Sequence, residues 1–315
     1  MSRLETAPGY PTPDVPDARH SGRAGRDAGV MQTAFAGLAA TLLHAVLSFS
    51  VLVPAPARAE QLPLWEAGVG ATVLSFPDYR GSDERRTWVL PFPYVDYRGE
   101  YLKVDERRVR SLFFKTGKVE LDASVNGTVP VKSSENDARR GMPDLDPTLE
   151  IGPSLNIDLT WSADRKTQLE LRLPVRAVFA SDFRSVDFAG WVFEPALNLD
   201  VHDAFGNPGL KLGMLAGPMF SNRRHNEYFY AVDPAFATAT RPAYSPGGGY
   251  AGAQLTAALS KRYGDFWIGG FARWDTLDNA AFDNSPLVRT NQSFSAGIAA
   301  AWLIGKSKTL VETTR

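Results

Sequence analysis

Charged side chains of both signs recur at every second position along several long stretches, an arrangement that can build salt bridges or line a polar path. Glu120, Asp122, Glu150, Asp158, Glu170, Glu194 and Asp200 stand against Lys118, Arg172, Arg176, Lys211 and Arg273. A second concentration is DYRGSDERR, 78–86. Its carboxylates suit a cation, and its arginines suit phosphates, including those of lipopolysaccharide, through the planar guanidinium fork. The expectation for 78–84 is a charged, water-exposed hairpin loop, since loops are polar by default. Hydrolysis of lipid would need Ser, His and a carboxylate or amide within reach of one another. Of the four histidines only His202 and His225 follow residue 59, and His225 in SNRRHNEYFY has Ser221, Asn222 and Glu227 as sequence neighbours. No strand spacing sets a serine hydroxyl on that imidazole, so a solvated loop is expected there and a turn at His202. YSPGGGY, 244–250, precedes a strand and not a helix, and reads as a flexible strand entrance instead of a phosphate cradle. The sequence carries no metal-ligand cluster and no dinucleotide fingerprint. Zero cysteine excludes disulfides, Cys-ligated zinc and thiol catalysis. The expectation is a chain with no catalytic residue, no cofactor and no metal.

The elements that would position these charges are strands. In DPTLEIGPSLNIDLTW, 146–161, Leu149, Ile151, Pro153, Leu155, Ile157, Leu159 and Trp161 share one parity, while Thr148, Glu150, Gly152, Ser154, Asn156, Asp158 and Thr160 share the other. A strand sends alternate side chains to opposite faces, so one face is apolar and the other polar. Similar runs cover 65–74, 87–97, 118–127, 167–180, 189–201, 208–221, 249–262, 265–275 and 292–303. Most have 10 to 14 residues, the length that crosses a hydrocarbon layer when tilted. From residue 146 the connections alternate between short (162–166, 202–207, 261–265) and long (181–188, 222–248, 276–291), with another long one at 128–146. Short turns on one side and long loops on the other mark a membrane barrel.

Parity constrains the strand number, because both ends of the chain must lie on one side of the membrane. Taking 101–114 as two short strands gives twelve; taking it as a connection gives ten. Twelve is favoured, since YLKVD and VRSLFF are both rich in strand formers. The expected fold is all-β: a transmembrane antiparallel barrel over 60–303 with a short periplasmic tail, 304–315. Its acids and bases face inward, and in a small barrel such charges form an interior network more readily than a wide channel. Glu150, Asp158, Glu170, Arg172, Arg176, Glu194, Asp200 and Arg273 are the members of that network. The seven tryptophans fall at strand ends, with Trp65, Trp161, Trp267 and Trp302 toward one rim and Trp88, Trp191 and Trp274 toward the other.

Net charge −1 gives no basic footprint for nucleic acid, and a mean hydropathy of −0.20 excludes a bundle of membrane helices. Residues 1–30 read as disordered, and 34–53 as the apolar core of a secretory leader with cleavage after Ala59. An uncleaved anchor is the alternative reading of the same apolar run.

DYRGSDERRTWVLPFPYVDYRGEYL, 78–102, resembles the amino-terminal signature of the MipA/OmpV family of outer-membrane proteins. YAVDPAFATATRPAYSPGGGYAGAQLTAALSKRYGDFWIGGFARWDTLDNAAFDNSPLVR, 230–289, resembles the family's carboxyl-terminal half. The resemblance implies localisation in the outer membrane of a Gram-negative envelope. It marks Tyr79, Arg80, Gly81, Ser82, Asp83, Ser285, Pro286 and Arg289 as family-motif positions. It also implies a scaffold role, linking a murein lytic transglycosylase to a penicillin-binding protein; a narrow channel for small solutes is the alternative. One departure is the carboxyl end, where the last strand, QSFSAGIAAAWLIG, is followed by KSKTLVETTR instead of ending on an aromatic residue.

Overall fold

The computed structural model describes residues 60–99, 102–104, 109–182 and 184–313. The leader and its expected cleavage site lie outside these residues. The strands are β1 (Glu60–Pro63), β2 (Trp65–Pro77), β3 (Arg85–Arg98), β4 (Leu102–Val104), β5 (Val109–Thr116), β6 (Val119–Thr128), β7 (Thr148–Trp161) and β8 (Thr167–Ser181). They continue with β9 (Val186–Phe193), β10 (Ala196–His202), β11 (Leu210–Ser221), β12 (Gly249–Tyr263), β13 (Phe266–Thr276), β14 (Gln292–Lys306) and β15 (Leu310–Thr313). One α-helix, α1 (Arg223–Tyr230), lies in the connection between β11 and β12.

From β2 to β8 each strand pairs antiparallel with the next. The second half of β8 pairs with β9 and its first half with β10. These two are therefore halves of one strand, interrupted at Glu194 and Pro195, where proline supplies no ladder donor. β11 pairs with both halves, the ladder runs on through β12 and β13 to β14, and β14 pairs with β2. The pairings thus run in a ring in which every strand has a neighbour on both sides. Counting β9 with β10, the ring has twelve strands. The stretch 101–114 contributes two of them, β4 and β5, as the favoured count requires.

Alternation decides which face is which. Val69, Val89, Val125, Leu149, Ile151, Leu259, Ile268 and Ile298 are all exposed on the outside of the ring. Glu66, Asp96, Asp122, Glu150, Asn156, Glu170 and Arg176 are buried inside it. A soluble protein has the reverse arrangement; an apolar belt this continuous needs lipid to cover it. A ring of paired strands also satisfies the backbone groups that lipid would leave unbonded.

Two tryptophans depart from the expected belts. Trp88 shares the inward parity of Arg86 and Tyr94, and Trp267 packs inside against Tyr94 with ring centroids 5.6 Å apart. The sequence position of each matches its rim, but β3 and β13 turn those side chains toward the lumen. The carboxyl end is also more ordered than a tail: β14 extends to Lys306, and 310–313 pairs with 60–63.

Candidate functional site

The long connections are not independent loops. Tyr79, Val131, Leu145, Phe229, Tyr230, Val232, Leu277, Phe282 and Leu287 form one buried apolar cluster with Met219 of β11 and Ala251 of β12. Its members come from the β2–β3, β6–β7, β11–β12 and β13–β14 connections, strands spread around the ring, so the loops meet across the long-loop mouth. Tyr230 and Phe282 stack at 3.8 Å between centroids, and Tyr79 meets Tyr230 edge-on at 6.2 Å.

The family-motif positions are the staples of this cap. The Tyr79 hydroxyl donates to the Leu287 carbonyl at 2.8 Å, and the Tyr230 hydroxyl donates to the Arg80 carbonyl at 2.9 Å. Burial pushes both phenols above the usual tyrosine range. Gly81 has φ +93°, a left-handed conformation that favours glycine, and its carbonyl accepts from the N–H groups of Arg289 (2.7 Å) and Thr290 (3.1 Å). Ser82 Oγ accepts from Glu84 N–H and from Asn136 Nδ2, whose other bond goes to Asp78 at 3.0 Å. Ser285 Oγ donates to the Tyr230 carbonyl at 2.7 Å, and Pro286 occupies the second position of the turn closed by Val288 N–H to the Ser285 carbonyl. Only Asp83 and Arg289 meet in the open, 4.0 Å apart with both side chains half exposed. The expectation of a charged, water-exposed loop at 78–84 is therefore corrected: most of its side chains are spent on internal bonds.

Arg139, for which the sequence held no signal, is buried among the Phe229 and Pro143 carbonyls (both 3.1 Å) and Ser133 Oγ (3.2 Å), beneath the Tyr79 ring. The expectation of a solvated loop at His225 is likewise overturned. Asn222 caps α1 by accepting from His225 N–H at 3.1 Å and ties it to β9 by accepting from Trp191 N–H at 3.0 Å. Gly190 of β9 must lack a side chain, because a Cβ there would lie 2.6 Å from His225 N. Burial, with Arg80 and Arg176 nearby, pushes the imidazole down to about 4, so it is neutral at pH 7. Ser221 Oγ donates to Asn226 Oδ1 at 2.5 Å and not to His225, whose Nδ1 has no hydrogen-bond partner among the described residues. This is not the geometry of a nucleophile and its base. His202 ends β10.

Below the cap, inward charges meet in groups. Arg176 bonds Glu150 at 2.8 Å and also Glu194, while Arg172 bonds Glu170 at 2.7 Å and reaches Asp200 at 3.8 Å. Gln168 donates to Asp158. Arg273 bonds Asp275 at 2.7 Å and lies within electrostatic range of Glu150 and Glu194 on the opposite wall. Arg80 completes this group through Asp275 at 3.2 Å. The sequence reading left out a third group near the short-turn end, where Glu66 bonds Arg98 (2.9 Å) and Arg262 (2.6 Å) and Arg98 also bonds Asp96. Glu66 and Asp275 sit at inward parity in β2 and β13, which was the available signal. Tyr94, Ala301, Leu303, Phe92 and Trp267 fill the lumen beside that group.

Among the described residues no group of three or more His, Asp or Glu has the arrangement of a metal site. The family model described as MltA-interacting protein MipA matches residues 69–304. The chain belongs to this family. The match takes in both resembling segments and reaches into every strand of the ring, from within β2 to within β14. A search of curated proteins returns no match. Among solved structures, the chain is similar to the Ralstonia pickettii toluene transporter TbuX at 9% identity, covering 78% of this chain and 70% of that one, with a TM-score of 0.25. It is similar to a mutant Rhodopseudomonas blastica porin at 9% identity, covering 76% and 100%, with a TM-score of 0.13.

Proposed function

We propose that this MipA-family chain is an exported, non-enzymatic outer-membrane barrel that acts as a scaffold for murein-cleaving and murein-synthesising enzymes. The family description names MltA, a lytic transglycosylase, as the partner of its namesake. A penicillin-binding protein is the second expected partner. Export through a leader cleaved after Ala59 would leave Glu60 in the periplasm, with the short turns and residues 307–313 on the same side. The cap would then meet the lipopolysaccharide leaflet.

The observation that carries the reading is the filled bore: loops interlock across one mouth, and paired charges and aromatic rings occupy the lumen. Such an interior supports a static scaffold over an open pore. Purification in mild detergent should recover a lytic transglycosylase with the barrel, and its absence would remove the scaffold reading. A second reading has one specific support. Arg80 Nη2, Trp88 Nε1 and Asn156 Nδ2 are buried without a partner among the described residues, which suits water inside the bore and hence a narrow channel. Planar-bilayer recording separates the two, since stable unitary conductance favours the channel and silence the scaffold.

A further inference from the structure

The β14–β2 seam does not stop at the short-turn rim. Ser307 N–H donates to the Trp65 carbonyl at 2.8 Å and Leu64 N–H to the Thr309 carbonyl at 2.9 Å, so the ladder continues into the β1–β15 ribbon. Four residues of strand extend it by about 13 Å. In an antiparallel pair the N–H and C=O of alternate residues point toward and away from the partner. The Leu64–Thr309 bond fixes that alternation: Leu62 and Val311 point into the ribbon, while Gln61, Pro63, Leu310 and Glu312 point out of it.

The two outer edges differ. On the β1 side Pro63 has no N–H, and its carbonyl already accepts from Arg98 Nη1 at 2.8 Å. Proline on an edge is a standard block against strand addition. On the β15 side, Leu310 and Glu312 each present an N–H and a C=O where no described strand pairs. Leu310 is 53% exposed, and Lys308 and Glu312, two residues to either side, are exposed too.

We propose that the β15 edge is a docking site for one extended peptide strand of a periplasmic protein. The proposal deepens the scaffold reading, on which the identity of the partner rests. Main-chain bonds to residues 310 and 312 supply the attachment, and side chains supply the choice. An antiparallel strand that complements Lys308, Leu310 and Glu312 carries, from its amino end, a basic residue, an apolar residue and an acidic residue at alternate positions. β15 itself fits that pattern. A second copy is nonetheless disfavoured, because the twofold axis pairing β15 with itself stands perpendicular to the ladder, whereas two barrels in one membrane need that axis along the bilayer normal. A ladder continuous with the barrel wall does not meet both demands.

The test uses the mature protein in nanodiscs and amide hydrogen exchange. One probe is a synthetic strand peptide with arginine, leucine and aspartate at alternate positions; the other is a purified lytic transglycosylase of the MltA type. Both should slow exchange at Leu310 and Glu312. Leu310→Pro should weaken binding of each at least tenfold, while Gln61→Pro, the same change on the blocked edge, leaves binding unaltered. Slow exchange at Leu62 and Val311 reports that the ribbon is intact in each variant. If the peptide fails to protect Leu310 and Glu312 in the unmodified protein, the edge is not a strand acceptor. If the enzyme binds equally well after Leu310→Pro, docking lies elsewhere and the scaffold reading stands. If the peptide protects but the enzyme does not bind, the edge stands and that partner falls. A dimer that dissolves on Leu310→Pro overturns the proposal in favour of a second copy.

Discussion

At the long-loop end, some seventy residues of connection fold back on one another: tyrosine hydroxyls reach carbonyls 150 and 208 residues away, and an arginine is buried among carbonyl oxygens. At the short-turn end the connections are a few residues long, and among the described residues the only extension is a ribbon with one blocked edge and one open edge. The contrast teaches that loop length is a poor guide to recognition. The larger end binds many of its polar groups to one another, whereas the smaller end still offers a row of backbone donors and acceptors. If that is right, the cap is a stability element, and disturbing it should cost folding energy according to how deeply each group is buried.

Tyr230→Ala removes the stack on Phe282 and the bond to the Arg80 carbonyl together. It should destabilise the cap by about 3–5 kcal/mol, read as faster amide exchange and proteolysis within 222–248. Acid should act next. Folded His225 titrates at about 4 against 6.5 when unfolded, so the unfolded segment takes up the proton first. Its contribution is complete above pH 6.5 and falls by about 1–3 kcal/mol as the pH drops toward 4. Exchange at α1 measured across that window should steepen toward acid in the natural chain and stay flat in His225→Gln. Ser285→Ala leaves the Tyr230 carbonyl without its donor and should cost about 1–2 kcal/mol by denaturant unfolding. Arg289→Ala removes only the half-exposed pair with Asp83 and should change the midpoint by less than about 0.5 kcal/mol. An Arg289 effect as large as that of Tyr230 would mean that surface charge, not the buried cluster, holds the cap.

What could be read in the sequence follows the range of the physics. Alternation is a property of adjacent residues, so β7 and its two faces were legible from 146–161 alone, and so were the inward charges of β8 and β10. Splitting 101–114 into two strands needed only local propensity and the rule that both termini share a side. Trp88 and Trp267 match their rims by distance along a strand; parity already sets Trp267 opposite to Trp274, and in β3 the pleat turns Trp88 inward as well. The cap was out of reach. Nothing near Tyr79 announces Leu287, and Arg139 finds Phe229 only once the ring has closed. The local composition of 78–84 reads as a free, charged loop, because nothing in it shows the bonds that Tyr79 and Ser82 make to residues far along the chain. In 304–315 the sequence reads only as a short tail, because a four-residue strand such as β15 has no period long enough to detect.

The chain contains no cysteine, so single cysteines introduced one at a time at 148–157 can carry spin labels without background. Oxygen accessibility in phospholipid vesicles should alternate with a period of two, high at Leu149, Ile151, Leu155 and Ile157 and low at Glu150, Ser154 and Asn156. Uniform accessibility along β7, or high oxygen access at Glu150, would contradict the ring of strands with lipid outside and ion pairs within.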